Sequence, residues 1–286
     1  MKNGIKQKKI GGALGLLCAT LLWGFSFVVV KDSTSRLPVM YLLAMRYSLA
    51  SLGMIVLFGK RLRQVSTTVL RQGAVLGSQL FVSQFFQTLG CKHTTAGKNA
   101  FLTAIYVVLV PFLGWWLEKQ RPGKKNLAAA VLALTGIGLL SLQGSMALQL
   151  GDGLTLVCSL GLALHIVFIA RYTQKSDPVL LTLLQFAFAG LYTWSVIAVA
   201  GVPFPMQLLE PALGARMVYI GICSTMTGFL LQTTCQKYTS PNLASVILSM
   251  EAVFGMVFSV ILLKEPFTIR ILAGAVCMLA SMLLAA

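Results

Sequence analysis

Apolar residues run along this chain in long blocks separated by short polar breaks. The blocks occupy about residues 10–30, 39–58, 69–91, 97–117, 126–142, 153–170, 179–199, 214–235, 242–263 and 269–286. A helix rises about 1.5 Å per residue, so about 20 such residues cover the roughly 30 Å of bilayer hydrocarbon. The runs lack the strict polar/apolar alternation of barrel strands, and hydrocarbon leaves helices as the other way to satisfy every backbone amide. The pattern predicts an all-α membrane protein with ten transmembrane helices.

Composition agrees with that class. Of 286 residues, 57% are hydrophobic and 10% charged, against roughly 25% charged in soluble domains. The net charge of +16 raises the question of nucleic acid, but the charges sit at span ends. Threading the ten spans puts 15 of the 23 basic residues on one side, 7 on the other and Arg46 inside a span. The richer side receives Lys2, Lys6, Lys8 and Lys9, the 60–71 region, 119–125, Arg171, Lys175 and Lys237. Basic residues mark the cytoplasmic side, so the chain is expected in the cytoplasmic membrane with both termini inside. Membrane lipid is then an expected partner and nucleic acid is not.

The basic start and first apolar run look at first like a signal peptide. The run is too long for a signal core and lacks a small-x-small site near Trp23-Gly24, so it reads as a retained helix. The six cysteines lie in or beside apolar spans and form no Cys-x-x-Cys pair, which reads as packing with no metal and no cofactor.

The chain also repeats itself. LLCATLLWGFSFVVVK (16–31) lies over LVCSLGLALHIVFIAR (156–171) at a shift of 140, pairing Cys18 with Cys158, Lys31 with Arg171 and, further on, Pro38 with Pro178. A shift of 144 then pairs Cys91 with Cys235, Ala100 with Ala244 and Pro122 with Pro266. Two halves follow, 1–143 and 150–286, with five helices each. Five is odd, so the second half enters the membrane inverted relative to the first. Inverted repeats with a site near the midplane are a recurring plan of secondary transporters.

LLWGFSFVVVK (21–31), AMRYSLA (44–50), TTAGKNAFLTAIYVVLVP (94–111) and SPNLASVILSMEAVFGMVFSVILLKEP (240–266) together resemble the drug/metabolite transporter superfamily, EamA type. Ala163 stands where that family often has Trp, and Ala252 where it often has Pro. The resemblance implies ten helices around a central cavity and movement of a small solute.

Polar side chains inside hydrocarbon are costly, which makes them candidates. Helical spacing puts Asn99, Thr103 and Tyr106 on one face, and Gln79, Ser83 and Phe86 on another with Gln87 adjacent. Thr225 and Gln232 share a face through Phe229 with Gln236, as do Thr20, Trp23, Gly24, Phe27 and Lys31. A helix-to-helix hydrogen bond explains any single glutamine or threonine as well, and His165 reads first as a packing residue. The stripes together nevertheless predict a cavity bordered by Trp23, Phe27, Gln79, Gln87, Asn99, Thr103, Tyr106, His165 and Gln232 as substrate-binding residues. Glu251, near the centre of its span, must be protonated, paired or facing water, and is the candidate for proton coupling. Arg46 is expected to be a structural charge snorkelling to the outer interface.

The reading is a secondary transporter of a small metabolite, amino acid or amphiphilic compound, exporting more than importing. No GxxxxGK[ST] loop is present to drive a pump. A channel, a lipid scramblase and a membrane-embedded enzyme are the competing classes, the last disfavoured by two histidines and seven acids spread along the chain.

Overall fold

The computed structural model describes residues 2–119, 121–141, 149–263 and 268–285. Lys264 and Pro266, used in the charge count and the repeat, and the side chains of Lys2 and Lys6 lie outside the described residues. Among the described residues the elements are helical, and they line up as ten rods. These are α1 (Lys2–Thr34), α2 (Val39–Phe58), α3 (Thr67–His93), α4 (Ala96–Leu117) and α5 (Lys124–Ser141). The second half gives α6 (Leu150–Tyr172), α7 (Pro178–Ala200), α8 (Pro211–Gln236), α9 (Pro241–Leu262) and α10 (Ile269–Ala285).

Local chemistry fixes the helix starts. Ser66 accepts from the Val69 amide, Thr95 from that of Lys98, and Asp177 from those of Val179 and Leu180. Each satisfies backbone donors that the first helical turn leaves without a partner. Pro178, Pro211 and Pro241 open α7, α8 and α9, where a missing N–H costs nothing. Gly201, at φ +61°, ends α7 in the left-handed region that a side chain resists.

Seven rods are long and apolar enough to cross a membrane: α1, α2, α4 and α6 to α9. Of the ten expected spans, seven therefore qualify among the described residues. The reason is composition. α3 carries Gln79, Gln84 and Gln87, α5 begins with Lys124, Lys125 and Asn126, and the apolar part of α10 is short.

Packing follows a two-fold rule. α3 packs on α6 and α7, while α8 packs on α1 and α2; α1 packs on α9, while α6 packs on α4. α2 faces α7 and α5 faces α10. Exchanging each helix for the one five places along turns this set of contacts into itself. The halves are also inverted. Lys8 lies over the Tyr238 ring and Gln174 donates to the Lys237 carbonyl, so α1 starts on the face where α6 ends.

Between helices in lipid, close approach matters more than apolarity. At Gly24 in α1 an added Cβ would lie 2.5 Å from the Phe254 Cβ and 2.8 Å from the Gly255 amide of α9. At Gly136 in α5 it would meet the Gly274 carbonyl of α10 at 2.8 Å. Ion pairs also tie the halves, among them Asp32–Arg216, Arg36–Glu210 and Lys98–Asp152 on the face away from the amino terminus, and Arg61–Asp177 on the amino-terminal face.

Candidate functional site

A cavity lies between the halves. α1 lines it with Trp23, Ser26, Phe27 and Val30, α2 with Arg46, α3 with Gln84 and Gln87, and α4 with Asn99 and Tyr106. From the second half come Leu162 and Ile166 of α6, Ser224, Phe229 and Gln232 of α8, and Leu248 and Glu251 of α9. The wall is apolar and aromatic with a few polar groups, the usual make-up of a small-molecule site.

The backbone is irregular where it meets this space. α4 breaks at Ile105 between Ala96–Ala104 and Tyr106–Glu118, and α9 breaks between Pro241–Leu248 and Glu251–Leu263. Ala104 and Leu248 are 144 residues apart, the repeat shift, so both halves carry the same break. Tyr106 and Glu251 each start the second piece, and the Tyr106 hydroxyl donates to Glu251 Oε1 at 3.1 Å. α8 contains a π-helical stretch, Tyr219–Thr227, in which Thr225 and Thr227 donate to carbonyls five residues back. Such wide turns occur often at functional sites.

The π stretch serves two cavity residues. Trp23 Nε1 donates to the Ser224 carbonyl at 2.9 Å, and the indole packs on Phe229 with centroids 4.9 Å apart. Gly228 makes room, since a Cβ there would lie 2.5 Å from Trp23 Nε1. Arg46 Nε donates to Thr225 Oγ1 at 2.9 Å and Nη1 to Gln84 Oε1 at 2.6 Å. On the other side, Asn99 Nδ2 donates to Thr155 Oγ1 at 2.7 Å and to the Gln87 carbonyl. The side-chain oxygens of Asn99, Ser224 and Gln232 are buried with no hydrogen-bond partner among the described residues.

The structure gathers Trp23, Phe27, Gln87, Asn99, Tyr106, Gln232 and Glu251 around this space. It leaves three expected residues outside the lining. Gln79 sits at the wrong angle on α3: the Ser83 side of that helix presses on Gly161 of α6, and Gln84 and Gln87 turn inward instead. Thr103 lies behind Gln87 and accepts from its Nε2 at 3.4 Å. His165 is fully buried against α7, with Nε2 2.9 Å from Gln185 Oε1 and its ring edge-on to Phe229. Arg46 is not at an interface. It is 3% exposed and lines the cavity, because Gln84 and Thr225 hold its guanidinium inward. Ser26, Gln84, Ser224 and Phe229 also line the space and were not singled out in the sequence. Gln84 was one residue from the stripe chosen on α3, and Phe229 already linked the polar residues of α8.

The EamA-like transporter family matches residues 10–142 and again 149–286, one match per half. The chain belongs to this family. An uncharacterized transporter of Archaeoglobus fulgidus is 30% identical over 268 residues, covering 91% of this chain and 81% of its own length. A probable amino-acid metabolite efflux pump of Salmonella typhimurium is 26% identical, covering 95% of this chain and 93% of its own. A solved crystal structure shares the fold at a TM-score of 0.76 with 18% identity, over 96% of this chain and 97% of that one. This EamA-like chain is thus a multi-pass membrane transporter, and its cavity lies where its two repeats meet.

Proposed function

We propose that this chain is a secondary transporter that carries a small metabolite, an amino acid or an amphiphilic compound across the cytoplasmic membrane by alternating access. Both termini face the cytoplasm, export is the main direction, and the halves 1–143 and 150–286 are the moving units. The observation that carries the reading is the matched pair of helix breaks, which bring Tyr106 and Glu251 together in a cavity lined by both halves. Two inverted halves of similar packing give an outward-open and an inward-open state of comparable energy, the bistability that alternating access needs.

Trp23, Phe27, Gln87, Asn99, Tyr106 and Gln232 bind the substrate; Gln79, Thr103 and His165 act from behind the wall. Glu251 couples transport to protons, neutral when occluded and charged when it faces water, since a lone ion in hydrocarbon is strongly disfavoured. Reconstitution into proteoliposomes tests this. The wild type should show substrate-saturable counterflow and accumulate substrate when a pH gradient is imposed. Glu251→Gln should keep counterflow at saturating substrate and lose gradient-driven accumulation. Flux that never saturates would indicate a channel, and gradient-driven accumulation by Glu251→Gln would end the proton role.

A further inference from the structure

On the amino-terminal face a recess lies where the start of α1, the end of α6 and the junction of α8 with α9 meet. Lys8 and Lys9 of the first half and Lys237 of the second line it, and no acid does. None of these lysines has an ionic partner among the described residues. Local contacts place them: Lys8 Nζ sits 5.8 Å from the centroid of the Tyr238 ring, and Gln174 donates to the Lys237 carbonyl at 3.3 Å. The repeat shows what this face lacks. On the opposite face Lys98 of α4 pairs with Asp152 of α6, one from each half, and Thr94 donates to the same carboxylate. The shift of 140 carries Asp152 onto Gly12, and the shift of 144 carries Lys98 onto Asn242, so the amino-terminal face has no copy of this pair. A Cβ at Gly12 would already lie 3.0 Å from the Cys235 carbonyl oxygen and 3.1 Å from Thr239 Oγ1, which leaves little room for a carboxylate. Like charges from the two halves thus face one recess whose lining supplies no anion.

We propose that this recess binds a phosphate group, which bridges Lys8 and Lys9 to Lys237 and so joins the halves here as Lys98 and Asp152 join them on the other face. Lysine ammonium groups are compact cations with three donors each, and a phosphate has enough oxygens to take several of them at once, where a carboxylate has two. Ser240 adds a donor to the lining: its oxygen accepts from the Leu243 amide, and its hydroxyl hydrogen is left for the ligand. The recess lies at the ends of spans, the depth at which lipid phosphates sit, and basic pockets between helices on the cytoplasmic side bind anionic head groups. A soluble phosphate carries the same chemistry and reaches the recess from water.

Equilibrium binding to the purified full chain in a neutral detergent tests this, with dioleoyl phosphatidylglycerol, dioleoylglycerol and inorganic phosphate as probes. The wild type should bind phosphatidylglycerol roughly tenfold or more tightly than dioleoylglycerol, which has the same tails and no phosphate, since each lysine near an anionic head group adds several-fold to binding. Replacing Lys8, Lys9 and Lys237 together by glutamine should erase that preference. Replacing Lys60, Lys124 and Lys125 removes the same charge from the same face outside the recess and should keep it. A lipid preference alone assigns the site to the head groups of the bilayer, and saturable binding of inorganic phosphate, lost in the first triple variant, assigns it to soluble phosphates as well. Should that variant fail to fold, Lys237→Gln, at an exposed helix end, should still weaken binding several-fold. Equal binding of the two lipids with no saturable binding of phosphate overturns the proposal. So does equal loss in both triple variants, which would reduce the effect to net charge, and so does binding that the recess substitutions leave unmoved.

Discussion

Tyr106 and Glu251 come from different halves, and the Tyr106 hydroxyl donates to the Glu251 carboxyl at 3.1 Å inside a largely apolar bundle. Tyr106→Phe leaves the carboxyl without that donor, at a cost of about 1–3 kcal/mol. Thermal unfolding in detergent should show a lowered midpoint for this variant, and an unchanged midpoint would mean water already serves the carboxyl. Gly228→Ala acts on Trp23 instead. Its Cβ would press on the indole nitrogen, displace the ring from the Ser224 carbonyl and cost about 1–3 kcal/mol of strain. The near-ultraviolet signal of the tryptophans should change with it, while a neighbouring Phe229→Leu, which keeps space for the ring, should change it less. Much of this neighbourhood was legible as helical stripes, because spacing fixes which residues share a face. What spacing does not fix is the angle of the face. On α3 the glycines Gly73 and Gly77 are committed to α7, and Ser83 to α6, which rotates Gln79 off the cavity and brings in Gln84. Arg46 was misplaced for a similar reason: snorkelling is the rule for an isolated helix, and here partners on α3 and α8 hold the guanidinium inward.

At the scale of elements, the helix ends were written in the chain and the interruptions were not. Asp177-Pro178 reads directly as a cap followed by the first helical residue, and the structure adds an ion pair from Arg61 to the same carboxylate. Asp177→Ala should cost about 1 kcal/mol through the lost cap, and Asp177→Asn, which caps but does not pair, should recover most of it. Comparable loss in both variants would transfer the role to the ion pair. The breaks at Ile105 and at Ser249–Met250 lack proline or glycine at the break itself, so no local signal announces them. Nor does composition announce the π stretch in α8, along which the Thr225 and Thr227 hydroxyls bond to carbonyls five residues back. Asp152 shows the same limit. It lies just before the apolar run that starts at 153, yet it is fully buried, taking bonds from the Gln149 amide, Thr94 and Lys98. Asp152→Ala removes a buried carboxylate that holds the Gln149 amide, Thr94 and Lys98, and should destabilise the chain by about 3 kcal/mol, more than any surface pair would.

For the whole molecule, the repeat was visible as two gapless registers, and the contacts among the ten rods obey the same exchange of halves. Insertion direction is carried by the charges alone. With both termini cytoplasmic, an impermeant thiol reagent added outside should label a single cysteine at Gln207 and miss one at Gly123, both on a background lacking the six native cysteines. In the proposed transport cycle the space between the halves opens to each side in turn. Ser224→Cys tests it most directly, because the hydroxyl lines the cavity with no hydrogen-bond partner among the described residues and cysteine nearly matches its shape. In sealed vesicles of both orientations, the account predicts labelling from either side, faster from one side and slower from the other when an opposing substrate gradient is imposed. Labelling from one side only, unmoved by any gradient, would contradict it.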